Sequence, residues 1–109
     1  MQNNTIIIHL RFKEYEFRRA KSINNGAVIY TSKEWIGKTA TLIPVPYDVN
    51  DKMIEHCKDE NNVYEVALPT HHIVNKTIAD GGNIGRAYVP KEFIGYDFII
   101  IETPPTTYI

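Results

Sequence analysis

Ser32-Lys33-Glu34-Trp35-Ile36-Gly37 returns later in the chain as Pro90-Lys91-Glu92-Phe93-Ile94-Gly95, and this repetition decides the fold. Each copy follows a glycine-containing turn and a short apolar run, and another apolar run follows each copy. With a constant offset of 58, seven of nineteen positions are identical between Asn25–Ile43 and Asn83–Ile101. No gap interrupts this alignment, so the sequence indicates a tandem repeat of a unit of about forty residues.

The composition is that of one compact domain. The chain has 109 residues, of which 43% are hydrophobic and 23% are charged, enough for a modest core and too apolar for disorder. No apolar run approaches the length of a membrane span, and Met1-Gln2-Asn3-Asn4 lacks the pattern of a secretion signal. The single cysteine, Cys57, excludes an internal disulfide. We therefore expect a cytoplasmic protein with no membrane partner.

The charges are distributed unevenly along the chain. The net charge is −1, which argues against non-specific attraction of the whole protein to nucleic acid. Residues 11–38 nevertheless hold seven basic and three acidic residues, a net +4, whereas residues 48–65 hold two basic and six acidic residues, a net −4. This asymmetry permits a local anion-binding face.

The first unit, about residues 5–46, is predicted to begin with three strands. Thr5–Phe12 alternates apolar and polar side chains, which is typical of a strand. The apolar parity changes after Lys13-Glu14, which predicts a turn or bulge and then a second strand through Ser22. Asn24-Asn25-Gly26 predicts a hairpin turn into a third strand at Ala27–Tyr30.

The repeated segment itself is predicted to form one helical turn. Ser32 can cap the free N–H groups of that turn, and Gly37 can end it in a left-handed conformation. Thr39–Val45 predicts the last strand, with Pro44 and Pro46 halting it. Each unit is therefore expected to be β-β-β-turn-β.

A linker of different character, about residues 47–62, joins the two units. Its apolar residues recur at helical spacing, and Asp48 or Asn50 can serve as the N-cap, so a short amphipathic helix is predicted. The apolar residues are Val49, Met53, Ile54 and Cys57. The second unit spans about residues 63–102, and the tail at 103–109 is expected to be extended. Neither unit has enough apolar area to fold alone, so we expect a single domain of residues 1–109 with pseudo-two-fold symmetry.

Several patterns that suggest chemistry have plainer explanations. The glycine-rich Gly81–Arg86 precedes a strand rather than a helix, so a hairpin turn is favoured over a phosphate-binding loop. His56-Cys57 and His71-His72 lack a spaced ligand pair, and neighbouring residues on a strand point to opposite faces, so surface histidines are favoured over a metal site. No nucleophile motif or spaced acid/base pair is recognisable. We expect no catalytic residues, no metal and no cofactor, and hence no enzyme.

The basic residues are the strongest functional signal. Arginine and lysine near the turns of the two units would face a phosphate backbone if the units pair, and arginine suits bidentate contacts. The candidate DNA-binding residues are Arg18, Arg19, Lys21, Lys76, Arg86 and Lys91. The alternative is an ordinary solvated surface with scattered ion pairs.

The stretch from Gly82-Asn83-Ile84-Gly85-Arg86 through Tyr88 to Pro90-Lys91-Glu92-Phe93-Ile94-Gly95 resembles the signature of AbrB-like, swapped-hairpin DNA-binding domains. It looks closest to the small archaeal AbrB-like proteins labelled transposon-encoded. The resemblance covers about forty residues twice. It implies an interleaved β-barrel made of two units, with DNA bound by basic loops, as in a transcriptional regulator or an antitoxin.

The first copy departs from the family pattern. Val28 stands where the second copy has Arg86, and Ser32 stands where it has Pro90. The family uses two chains for one barrel, whereas here one chain carries both halves, so the resemblance implies an internal pseudo-dimer. The alternative function is a protein-interaction module, such as an antitoxin or an accessory factor of a mobile element, with a toxin, another protein or a second copy as its partner.

Overall fold

A computed structural model describes residues 5–70 and 72–103. The mainly β fold class is confirmed, with one short α-helix between the two halves. In chain order the strands are β1 (Ile6–Phe12), β2 (Glu16–Arg19), β3 (Lys21–Ile23), β4 (Gly26–Thr31), β5 (Thr39–Pro44), β6 (Tyr64–Thr70), β7 (Val74–Thr77), β8 (Ala79–Asp80), β9 (Gly85–Val89) and β10 (Asp97–Glu102). Two 3₁₀ turns, Lys33–Trp35 and Lys91–Phe93, precede β5 and β10, and helix α1 is Asp51–Glu55. No helix in the described ranges is long and apolar enough to cross a membrane.

The two halves have the same order of elements. Strands β1 to β5 and the first 3₁₀ turn recur as β6 to β10 and the second turn, with the offset of 58 found in the sequence. Both glycines that end the turns have positive φ, 85° at Gly37 and 89° at Gly95, a conformation that a Cβ atom disfavours. Helix α1 is capped by Asn50, one of the two predicted N-cap residues, since its side chain accepts a hydrogen bond from the Met53 backbone N–H at 3.1 Å.

The strands form three sheets. A two-stranded sheet pairs β1 with β6, the central sheet has the order β2-β10-β5-β7, and the outer sheet has the order β3-β4-β9-β8. In each sheet one residue pairs with its own counterpart in the other half: His9 with Ala67, Leu42 with Ile100, and Ile29 with Ala87. Such pairs lie where an approximate two-fold axis crosses each sheet.

The halves exchange strands in the central sheet. Strand β2 of the first half pairs with β10 of the second, and β7 of the second half pairs with β5 of the first. Each half therefore completes its part of the sheet with a strand from the other half.

Two apolar clusters lie on opposite faces of the central sheet. Successive residues of a strand point to opposite faces, so Leu42 and Ile100 enter the cluster beneath the outer sheet, while Ile43, Ile99 and Ile101 enter the cluster beneath the two-stranded sheet. Ile54 of α1 joins the second cluster. This is why β5 and β10 are almost continuously buried.

Three details differ from the sequence predictions. The second strand is interrupted at Ala20, whose N–H and C=O bond Tyr96 and Gly95 at 2.9 and 2.8 Å, so the chain changes sheet there. The prediction that the Ser32 side chain caps the 3₁₀ turn is wrong, because its hydroxyl donates to Glu16 instead. Strand β5 ends at Pro44 rather than Val45. Beyond Thr103, the predicted extended tail lies outside the described residues.

Candidate nucleic-acid interface

The six candidate DNA-binding residues do not form one cluster. Arg18 on β2 and Lys76 on β7 are counterparts in the two halves and lie on the opposite edge strands of the central sheet. Lys91 is exposed on the second 3₁₀ turn, as its counterpart Lys33 is on the first. Five of the six candidates are exposed and Arg86 is half-buried, but the sequence did not indicate which of them lie on the same surface.

Two of the candidates are paired with acids. Arg19 Nε donates to Asp97 Oδ1 at 3.0 Å and its second nitrogen lies 3.4 Å from Oδ2, a two-point contact. The hydrogen bond to Asp97 raises the pKa of the Arg19 guanidinium. Arg18 Nε donates to Glu16 Oε1 at 3.2 Å. Both arginines have carboxylate partners that a phosphate would have to replace or share.

Lys21 and Arg86 lie on the same face of the outer sheet. The pairing register puts Lys21 opposite Val28, Val28 opposite Tyr88, and Tyr30 opposite Arg86. Residues opposite one another, and residues two apart along a strand, share a face. The other face of this sheet, with Ile29 and Ala87, covers the core. We call the outward side, defined by Lys21, Tyr30, Arg86 and Tyr88, the cationic face.

Arg86 is held on this face by its neighbours. Its Cζ lies 5.8 Å from the centroid of the Tyr88 ring, within cation–π range. A Cβ atom at Gly81 would lie 3.2 Å from the Ile84 carbonyl oxygen and 3.4 Å from Arg86 Cδ, so the arginine stem lies against this glycine. The buried Arg86 Nε has no hydrogen-bond acceptor among the described residues. This atom is itself inaccessible from outside, so any contact with an external acceptor would be made by the other guanidinium nitrogens.

The glycine-rich segment is a hairpin loop between β8 and β9. Gly81 N–H donates to the Ile84 carbonyl at 2.8 Å, and Gly82, with φ of 101°, donates to Asp80 Oδ1 at 2.9 Å. Strand β9 follows the loop. The loop therefore uses its own donors to close the turn, and the half-buried Arg86 follows it as the second residue of β9.

Sequence reasoning missed the two tyrosines of the cationic face. Tyr88 is 47% exposed and Tyr30 is half-buried. The signal was present, because Tyr30 and Tyr88 are identical positions of the repeat and Arg86 stands two residues before Tyr88. Period-two alternation on β9 puts Arg86 and Tyr88 on one face.

The residues considered for metal binding have other contacts. His56 Nδ1 lies 2.7 Å from the Lys52 carbonyl, and Cys57 Sγ donates to the Met53 carbonyl at 3.2 Å. The His72 ring packs 5.0 Å from the Phe93 ring, while His71 lies outside the described residues. Within 5–70 and 72–103, no group of three potential ligands is arranged to hold a metal ion.

Two concavities lie away from the cationic face. A cleft of about 820 Å³ borders the first 3₁₀ turn, with Trp35, Tyr15 and Tyr64 in its walls. A groove of about 510 Å³ lies beside the second turn and includes Tyr47, Ile94 and Tyr96, which are exposed apolar side chains.

The arrangement of the cationic face suits electrostatic binding of an anion. Arg86 lies over the ring of Tyr88, and both cations lie on neighbouring strands of one sheet face. Comparisons of the chain with protein families, curated proteins and solved structures return no match.

Proposed function

We propose that the protein binds duplex DNA through the cationic face, with Lys21 and Arg86 as its main phosphate contacts. The observation that carries the proposal is that these two cations share a sheet face on which no described strand residue is a carboxylate. Arg86 offers a planar fork that matches phosphate geometry, and Lys21 adds a mobile charge. The remaining candidates, Arg18, Arg19, Lys76 and Lys91, contribute longer-range attraction.

We further propose that the fold is an AbrB-like, swapped-hairpin barrel completed within one chain, and that the protein is a transcriptional regulator acting in the cytoplasm. The exchange of β2 and β7 between the halves supports this architecture. So does the approximate two-fold axis through the three sheets. The basic loops of the family correspond here to the β8–β9 hairpin that presents Arg86.

Salt dependence tests the DNA-binding proposal. Fluorescence anisotropy with a labelled duplex should show binding at low salt, with log affinity falling against log salt with a slope of about −2 to −3 for two or three phosphate contacts. The double variant Lys21→Ala, Arg86→Ala should bind at least about tenfold more weakly, with the slope reduced by about 2.

The matched control removes two exposed cations from other surfaces. Lys13→Ala, Lys52→Ala changes the net charge by the same amount but leaves the cationic face intact. We expect its salt slope to equal that of the wild type. Absence of binding at low salt, or equal losses in the two double variants, would rule out the cationic face as the DNA site.

A protein-interaction function is the second candidate, and the groove beside the second 3₁₀ turn favours it. Ile94 and Tyr96 are 44% and 41% exposed, and Tyr47 is 99% exposed. Exposed apolar side chains around one groove mark a surface that a protein partner, such as a toxin, can cover. An antitoxin or mobile-element accessory factor would use this groove, and substitutions in it should then leave DNA affinity unchanged.

A further inference from the structure

Strands β1 and β6 form a sheet of only two strands, so each has one edge that pairs with no other strand in the described ranges. Such an edge presents a row of backbone N–H and C=O groups that can pair with another chain. Natural proteins protect these edges with proline, charged side chains or a covering segment. The two edges of this sheet differ in that protection.

The backbone groups that point outward can be identified from one hydrogen bond. The Glu65 N–H donates to the Cys57 carbonyl at 3.2 Å, so it points away from β1. Residues directly opposite in an antiparallel pair either exchange both of their hydrogen bonds or exchange none. Glu65 is opposite Arg11, so this pair exchanges none, and the backbone groups of Arg11 also point away from the partner strand.

The same orientation recurs at every second residue of β1, because the two kinds of pair alternate along an antiparallel ladder. His9 is opposite Ala67, and Ile7 is opposite Pro69. The proline agrees with this assignment, since it has no N–H to contribute to the ladder. The N–H and C=O groups of Ile7, His9 and Arg11 therefore all point to the free edge of β1.

The free edge of β6 is protected at both ends. At its start, an isolated bridge joins Lys58 to Tyr64, and the Glu65 N–H has its acceptor. Near its end, Pro69 offers no outward N–H. Strand β1 has no proline between Ile6 and Phe12, and no described residue forms a bridge to its free edge. The edge of β1 is therefore the one that can accept another strand.

The bare edge of β1 also carries exposed apolar side chains. The first-half counterparts of Tyr64 and Glu65 are Ile6 and Ile7, which are 56% and 55% exposed. Ile6 is on the same face as Ile8, which belongs to the apolar cluster beneath this sheet. Where the second half covers its edge with the linker, the first half thus leaves two isoleucines uncovered.

We propose that β1 pairs antiparallel with β1 of a second copy of the chain, which makes a four-stranded sheet in the order β6-β1-β1-β6. A two-fold axis at Ile8 puts Ile7 opposite His9 of the other copy, and their outward backbone groups bond one another. The same register puts Ile6 opposite Leu10 of the other copy. Leu10 belongs to the apolar cluster, so Ile6 continues that cluster across the interface.

Charge favours a second copy over an acidic strand as the occupant. Arg11 already has a carboxylate beside it, since its Nε lies 3.9 Å from Glu65 Oε1. In the proposed register Arg11 is opposite Thr5, so no like charges are opposed. The inference is independent of DNA binding, because this sheet and the outer sheet cover opposite faces of the central sheet.

Sedimentation equilibrium and amide hydrogen exchange on the full-length protein test the proposal together. The average mass should rise from that of one chain toward that of two as concentration increases. Over the same range the His9 amide should become at least about tenfold more protected, whereas its counterpart Ala67, whose N–H points to the other edge, should not change. A monomer at every concentration, equal protection of both amides, or His9 protection that is independent of concentration would overturn the proposal.

Two isoleucine substitutions locate the interface. Ile7→Lys puts an ammonium group beside His9 and Arg11 of the other copy, so it should weaken the dimer at least about tenfold. Ile94→Lys is the matched control, since Ile94 is 44% exposed in the groove beside the second 3₁₀ turn, and it should dimerise like the wild type. Circular dichroism checks that both variants keep the fold. Equal dimerisation of the two variants, or a loss in Ile94→Lys alone, would show that β1 is not the interface.

Discussion

At the residue scale, the contact between Glu16 and Ser32 shows that the two halves differ in how they satisfy the hydrogen-bond donors at the start of the 3₁₀ turn. The Glu16 carboxylate accepts from Ser32 N–H at 3.1 Å and from the Ser32 hydroxyl, and it also accepts from Arg18 Nε at 3.2 Å. In the second half the same positions hold Val74 and Pro90. Proline has no N–H, so the second half needs no acceptor there, whereas Ser32 brings two donors that Glu16 satisfies.

This comparison predicts a compensating pair of substitutions. Glu16→Val alone should destabilise the fold by about 1–2 kcal/mol, because the Ser32 donors lose their partner. Adding Ser32→Pro should recover most of that loss, since φ at Ser32 is −65° and suits proline. Urea unfolding measures both changes. If the loss of unfolding free energy in the double variant equals the sum of the losses in Glu16→Val and Ser32→Pro, the two residues are not coupled.

The same contact makes stability depend on pH. Burial is the largest influence on Glu16 and acts to raise its pKa, but the hydrogen bonds from Ser32 together with nearby Arg18 lower the pKa below its ordinary value of 4.5. A lowered pKa in the folded state means that the unfolded chain binds more protons. The stabilisation by Glu16 is therefore complete above about pH 4.5, and it is lost as the pH falls through the folded-state pKa.

Glu16→Gln removes this titration and gives the measurement. We expect the free energy of unfolding of the wild type to exceed that of Glu16→Gln near neutral pH, and this excess to shrink between about pH 5 and pH 3. Urea unfolding of both proteins across that range provides the comparison. An excess that stays constant on acidification would show that Glu16 has the same pKa in the folded and unfolded states.

At the element scale, β4 and β9 are equivalent strands, but the side chains packed at their counterpart positions differ in size. A Cβ atom at Gly85 would overlap Thr31 Oγ1 and Ile78 Cγ2. The first-half counterparts of Gly85 and Ile78 are Ala27 and Ala20. In the second half the large Ile78 is combined with a glycine, whereas in the first half the small Ala20 is combined with an alanine. A larger side chain at one position is thus accompanied by a smaller one at the other, so the strand pairing is kept although the sequences differ.

Alanine substitution at two glycines tests this packing. Gly85→Ala should destabilise by about 1–3 kcal/mol, because the added methyl group overpacks a closed site. Gly26→Ala is the control, since its nearest non-neighbouring atom, the Ile23 carbonyl oxygen, lies 4.0 Å from the added Cβ and its φ is not positive. Thermal unfolding ranks the two variants. Equal stability of both would show that β9 has room for a side chain at Gly85.

At the scale of the whole molecule, strand exchange makes each half depend on the other. Strand β2 pairs with β10, and β7 pairs with β5, so neither half contains the partners of its own edge strand. A chain cut after Tyr47, in an exposed connection, should give two fragments that are largely unfolded alone and that regain β structure when mixed. Far-ultraviolet circular dichroism of the fragments and of their mixture measures this. Independent folding of either fragment would contradict the shared core.

Local features of the fold were predictable from the sequence, and non-local ones were not. The offset of 58 located every counterpart strand, Gly37 and Gly95 have the expected left-handed conformation, and Asn50 caps α1. The break at Ala20 was not visible, because its hydrogen-bond partners, Gly95 and Tyr96, are contributed by the other half. Local propensity carries no information on a partner more than seventy residues away.

The candidate site was predictable only in part. The exposed cations could be read from the sequence, but their grouping depends on the order of the outer sheet, which sets β4 beside β9. That order brings Lys21 and Arg86 onto one face and leaves Arg18 and Lys76 on opposite edges of another sheet. The acid that pairs with Arg19 was likewise hidden, because Asp97 comes from the second half, whereas Glu16 lies two residues before Arg18 on the same strand.

The central claim is that one face of the outer sheet binds DNA, and amide chemical-shift mapping tests it most directly. The ¹⁵N-labelled protein is titrated with an unlabelled duplex at low salt, and shifts are followed residue by residue. We expect the largest changes at Lys21, Tyr30, Arg86 and Tyr88, with His9 and Ala67 on the two-stranded sheet as internal controls that do not move. Shifts confined to the two-stranded sheet, or no shifts at all, would contradict the account.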